Sequence, residues 1–217
     1  MFAFIDCNVS EIARPSDYNV QEGFYNGWLH KHGIKYQSVE APNGLSIALF
    51  GPCSFRQSDL TLLDLSELTT ILDDINVELS LIHGKSFAVY GDSIYRYHPH
   101  DTIQARFVTE PLSHEEILLN ALYGTVRISV EWGFKETSRH WLLTKAHDKI
   151  KLLQSETCKL YYVVATLLRN AYACMYENQI SKYFRPDNVN VNENVTFDTQ
   201  CLIPPSVHAY FQTFTNN

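Results

Sequence analysis

Apolar and polar positions alternate at the front of the chain. FAFIDCNVSEIARP keeps that alternation from Phe2 until Pro15, which predicts a strand. A stretch rich in Asn, Gly and aromatics, Tyr18 to Gly33, reads as a loop. In YQSVEAPNGLSIALFGP two apolar segments flank Asn43-Gly44, a strong hairpin signal, so three consecutive antiparallel strands are expected. Helical spacing of Leu and Ile then predicts a helix from Asp59 to about Asn76. SFAVYGDSIY reads as a short buried strand ending at Gly91-Asp92. Ser113 and Glu116 have capping-box spacing, which predicts a helix from there to about Trp132. A second apolar helix is expected from about Glu156 to Tyr176, and the Asn-rich chain after Phe184 reads as irregular.

Composition sets the scale. The 217 residues are 45% hydrophobic and 13% aromatic, enough for one main domain, expected over residues 1–184 with a tail over 185–217. A core strand starting at residue 2 suggests that an N-terminal portion is missing. Five cysteines without a C-x-x-C pair argue against a disulfide framework or a thiolate zinc site and fit a reducing compartment. No apolar run approaches the roughly 20 residues of a membrane span and no secretory signal is visible, so an intracellular protein is expected. The net charge of -7 argues against a freestanding nucleic-acid-binding module. Its distribution softens that argument: residues 1–120 carry 7 Lys+Arg against 16 Asp+Glu, and residues 121–186 carry 10 against 5.

The predicted order is strand, strand, strand, helix, strand, helix. An acid lies in the first strand (Asp6), another just after the fourth (Asp92), and a third in the following helix (Glu131). Two strand ends and a helix can bring three carboxylates together, and such hard oxygen ligands suit magnesium or manganese. Each acid also has an ordinary reading. Asp6 is then a solvated strand residue, Asp92 a turn residue, and Glu131 a surface residue paired with Arg127 or Lys135 one turn away.

Several segments together resemble the DDE endonuclease domain of PIF/Harbinger-type transposases, particularly the fungal ones. FAFIDCNVSEIARP is similar to the family's first-acid strand, and YNGWLHKHGIKYQSVEAPNGL to its segment before the hairpin. GDSIY resembles the second-acid motif, RISVEWGFKETSRHW the helix motif Arg-x-x-x-Glu-x-x-Phe, and KLYYVVATLLRNAYACMY the closing helix with an asparagine near Asn170. The likeness covers nearly all of residues 2–184. It implies an α/β, RNase H-like fold: a mixed sheet of three antiparallel strands plus a parallel one, flanked by helices. It also implies catalysis and metal ligation by Asp6, Asp92 and Glu131, with Mg2+ or Mn2+ as cofactor and DNA as substrate in the nucleus or cytoplasm. Asp59 is a candidate fourth ligand, or else an N-cap. Cys7-Asn8 replace the family's Gly-Thr, and a cysteine there is expected to crowd the metal or alter the turn. Recognition of a DNA sequence would fall to a separate protein or to the missing N-terminal domain. The expected activity is metal-dependent DNA hydrolysis by a two-metal mechanism; the alternative is an inactive, transposon-derived chromatin- or partner-binding protein.

Arg127, Lys135, Arg139, His140, Lys145, Lys149 and Lys151 accompany Trp132, Phe134 and Trp141, a mixture suited either to DNA contact and base stacking or to packing with a solvated charged face. His30, Lys31, His32 and Lys35 are candidate phosphate contacts. His98 and His100 lack the partners of a zinc site and read as surface histidines.

Overall fold

The computed structural model describes residues 2–84, 86–145, 157–185 and 203–213. Its centre is a mixed sheet. β1 (Phe2–Glu11) pairs antiparallel with β3 (Lys31–Glu40), which pairs antiparallel with β4 (Ser46–Ser54) and with the two-residue β2 (Tyr25–Asn26). On its other side β1 runs parallel to β5 (Ala88–Tyr90), and β5 runs parallel to β6 (Ile103–Gln104). The order β4-β3-β1-β5-β6 puts the first-acid strand at the centre, an arrangement compatible with an RNase H-like fold.

Alternation along β1 feeds two cores. Phe4 packs with Tyr36, Tyr90, Val130, Phe134 and Tyr162, the face covered by α4 (His114–His140), α5 (Thr157–Met175) and α6 (Gln179–Tyr183). Ala3 and Ile5 pack with Leu63, Leu68, Leu72 and Tyr95, the face covered by α2 (Asp59–Leu65) and α3 (Leu68–His83). The sheet is therefore buried on both sides, which a central strand flanked by a parallel neighbour requires.

Boundaries differ from the periodicity in instructive places. The helix expected from Asp59 to about Asn76 is two helices, broken at Glu67 in the left-handed region (φ 54°), and the second continues to His83 and ends at Gly84. The break lets Leu62 and Leu63 before it and Leu68 and Leu72 after it all reach the sheet. α4 passes the expected end at Trp132 and reaches His140, because Phe134 and Thr137 extend its buried face; the capping box at Ser113 and Glu116 is present. The expected loop after Pro15 contains α1 (Tyr18–Phe24), capped by Asp17, as well as β2. A short α7 (Val207–Gln212) packs Tyr210 against Leu45 and Ala173.

α5 and the N-cap of α6 are fastened to the β3–β4 hairpin by polar groups. Asn170 accepts from the Ser46 N–H (2.9 Å) and donates to the Ser46 carbonyl (2.8 Å), and Asn178 donates to the Gly44 carbonyl. Arg169, fully buried, donates to the buried Glu40 carboxylate at 2.7 Å. The pair runs beneath Gly133 of α4, where an added Cβ would stand 2.4 Å from the Arg169 guanidinium and 2.8 Å from the Glu40 carboxyl carbon. Gly133→Ala should therefore destabilise the protein by about 1–3 kcal/mol, the usual cost of overpacking, read as a lower urea midpoint at unchanged slope.

Candidate active site

Register brings the two strand acids side by side. Phe4 of β1 is partnered with Tyr90 of β5, and Asp6 and Asp92 each lie two residues further along these parallel neighbours. Adjacent strands are about 4.8 Å apart, so Asp6, midway along β1, lies close to where β5 ends and Asp92 follows it.

The motif around Asp92 has a local physical reason. Gly91 admits the buried Tyr95 ring: a Cβ there would stand 2.2 Å from it. The Asp92 carboxylate accepts from the Ile94 N–H (2.9 Å) and caps a 3-10 turn, Ser93–Tyr97. Tyr95 Oη then accepts from Gln37 Nε2 (3.1 Å) and lies 3.7 Å from Cys7 Sγ. Cys7 thus occupies the opposite face of β1 from Asp6, which corrects the expectation that it would crowd the acids. Burial pushes its thiol pKa well up.

Asp6 turns to the α4 face. Its Oδ1 accepts from the Cys7 N–H (2.8 Å), and its Oδ2 accepts from Arg127 Nη1 (3.3 Å). The other end of the same guanidinium lies 3.6 Å from Glu131 Oε1, and Lys135 Nζ lies 3.9 Å from Glu131 Oε2. Arg127 therefore bridges the first and third acids. Burial raises the Asp6 pKa from 3.8 to about 6; the Cys7 amide and Arg127 oppose this, and the charges of Asp92 and Asp59 add to it. The electrostatic reach of Asp92 and Asp59 on Asp6 marks one acidic neighbourhood.

The donor chemistry, hard carboxylates with the half-buried Asp6 partly starved of countercharge, fits a divalent cation. The geometry holds an arginine between two of them instead. Among the described residues no three His, Cys, Asp or Glu side chains stand close enough to hold an ion together.

Beside the acids lies a cleft of about 830 Å³, lined by Tyr90, Asp92, Arg106, Asn120, Thr125 and Arg127 among others. Arg106 was not singled out from sequence, because β6 before it is only two residues long. Asn120 of α4 fixes the following backbone by bonding both the N–H and the carbonyl of Phe107 (2.9 Å each).

Other candidates are placed elsewhere. Ser58, not Asp59, caps α2. The Asp59 carboxylate pairs with the buried Lys35 ammonium (2.7 Å), which also donates to the Gln57 carbonyl, so Lys35 is committed inside rather than offered to phosphate. Lys31 pairs with Glu11, His30 with Tyr25, and His32 packs on the Tyr25 ring. His98 and His100 tie their loop to Asp64 (3.2 Å) and Asp73 (3.0 Å), on α2 and α3 respectively. Phe134 is in the core and Trp132 packs edge-on to Tyr183, so on this helix the packing reading of the aromatics prevails. Arg139 is exposed near the C-terminus of α4, and Lys145 ends a short 3-10 turn after it. Lys149 and Lys151 lie outside the described residues.

The family model described as DDE superfamily endonuclease matches residues 5–170, a span that holds all three acids and the whole cleft. The chain belongs to the DDE superfamily endonucleases. No curated protein and no solved structure matches it. Membership makes this a transposase-derived, nuclease-type domain with DNA as the implied substrate. No described helix is long and apolar enough to cross a membrane.

Proposed function

We propose that residues 1–184 form the catalytic unit of a divalent-metal-dependent DNA endonuclease of the PIF/Harbinger type, acting in the nucleus, with Asp6, Asp92 and Glu131 as metal ligands. The observation that carries this reading is the half-buried Asp6, two residues past the last β1–β5 pair as Asp92 is, and linked through one arginine to Glu131. Bound there as a pair, Mg2+ or Mn2+ supplies charge stabilisation to the attacking and leaving oxygens of phosphodiester hydrolysis.

The chain's own residues do the rest. The turn capped by Asp92 and the Gly91–Tyr95 contact fix the second carboxylate at the strand end. Val130 and Phe134, packed against Phe4 and Tyr90 in one cluster, hold α4 so that Glu131 faces the same end. Arg106 and Arg127 line the cleft, where guanidinium groups bind phosphate oxygens in bidentate fashion. Lys135 and Arg139 continue positive charge along α4 toward Lys145 as further backbone contacts. Asp59 stays with Lys35, outside the ligand set.

The test is Mn2+ titration calorimetry on wild type and Asp92→Asn, each also incubated with supercoiled plasmid. Micromolar-to-millimolar binding and Mn2+-dependent nicking in the wild type, both lost in the variant, are the expected result. Absence of both in the wild type refutes the enzyme reading and favours a binding protein that has lost catalysis.

A further inference from the structure

Arg127 does not behave as an ordinary surface arginine. It lies one turn before Glu131, donates to Asp6 on β1 with one nitrogen, stands at ion-pair distance from Glu131 on its own helix with another, and is half-buried against the acid pocket. A cation is thereby held between two of the carboxylates that the proposed function assigns to metal. The same side chain also lines the open cleft that contains Asp92 and Arg106. It therefore borders two environments, one anionic because of the protein and one that becomes anionic only when a phosphate backbone enters.

We infer that Arg127 is an exchangeable resident cation: it neutralises the acid pocket in the metal-free protein, is displaced by the incoming metal, and then turns into the cleft to bind a DNA phosphate together with Arg106. The inference rests on the metal reading of this site and adds an order of events to it. Neither 3.3 Å nor 3.6 Å is a tight guanidinium–carboxylate contact, and the long side chain has other rotamers at hand. Occupation by Arg127 reduces the apparent metal affinity to the intrinsic value multiplied by the fraction of molecules in which Arg127 has already left the pocket. The displaced guanidinium is then available to DNA, so metal and DNA binding become mutually supportive. Asp6 and Asp92 would otherwise face an anionic substrate unneutralised, and the exchange links substrate affinity to a loaded site.

The experiment compares wild type, Arg127→Gln and Arg127→Lys by Mn2+ titration calorimetry. In parallel, the affinity for a short DNA duplex is measured in EDTA and in Ca2+. Arg127→Gln should bind Mn2+ about tenfold more tightly than wild type, and Arg127→Lys, which keeps a cation within reach, should stay close to wild type. Mn2+ should raise the melting temperature of Arg127→Gln more than that of wild type. Ca2+ should strengthen duplex binding by the wild type, and in Ca2+ Arg127→Gln should bind the duplex several-fold more weakly than the wild type, because the freed guanidinium is missing. If the wild type binds Mn2+ and Arg127→Gln binds no more tightly, the exchange is wrong and the metal site stands. If Arg127→Gln binds the duplex in Ca2+ as tightly as the wild type does, the second half of the inference fails. If neither protein binds Mn2+, the metal reading and the exchange fall together.

Discussion

Glu40→Gln should lower the unfolding free energy by on the order of 3–5 kcal/mol, the usual consequence of leaving one member of a buried ion pair alone. Arg169 has no exposed surface, and its main charged partner is Glu40, whose other oxygen accepts from Ser38 Oγ at 2.8 Å. Among the described residues Arg169 Nε and Nη1 already lack partners, so little remains to compensate its charge. Such a loss is a large share of the roughly 5–15 kcal/mol typical of folded domains. Replacing both residues, Glu40→Leu with Arg169→Met, should recover most of it, because two charges are then no longer desolvated. Urea midpoints of the two single variants and the double variant decide the matter. Additive losses would show that the two side chains act separately. The effect reaches the active site through Gly133, two residues beyond Glu131, since α4 rests on this pair.

Asp6→Asn should do the reverse to the metal-free protein and raise its stability at pH 8 by up to about 3 kcal/mol, roughly 1.4 kcal/mol for each of about two pH units. The sign follows from proton binding. The folded state holds the Asp6 proton up to about pH 6 whereas the unfolded chain releases it near 3.8. Wild-type stability therefore falls as pH rises from about 4 to 6 and stays lowered above that. The advantage of Asp6→Asn should be absent at pH 4, grow through pH 5 and level off above pH 6, measured by urea unfolding in EDTA. An advantage independent of pH would mean that the ionised carboxylate is not its source. In Mn2+ the ranking should invert, because the same variant removes a metal ligand. An acid that is costly to keep ionised without a cation is also one that gains by capturing it.

Much of this was legible because the governing signals are local. The strand of Asp6, the hairpin at Asn43-Gly44 and the capping box at Ser113 follow from alternation, turn chemistry and spacing, whereas the mixed sheet followed from the family resemblance. Glu67 escaped notice because a left-handed break forced by packing leaves the apolar spacing on both sides intact. β6 escaped because two residues carry no period, and with it went Arg106. Three acids in order suggested a ligand set, but that Arg127 would stand between Asp6 and Glu131 is a tertiary fact: the i,i+4 pairing with Glu131 was visible, the reach to Asp6 across 121 positions was not. Asn170 was visible as a motif residue and silent about its role, which exists only once the hairpin is folded beside it.

That role protects the protein from its own copies. Among the described residues β4 pairs with β3 alone, so its outer rim offers amides and carbonyls to a passing strand, the usual seed of edge-to-edge association. Asn170 meets the Ser46 N–H and carbonyl with its own amide, as a neighbouring strand would, and closes the rim where β4 begins. Pro52, further along the same strand, has no N–H to give. A side chain on the closing helix thus serves as a one-residue dummy strand, and colloidal solubility of the isolated domain depends on α5 staying docked.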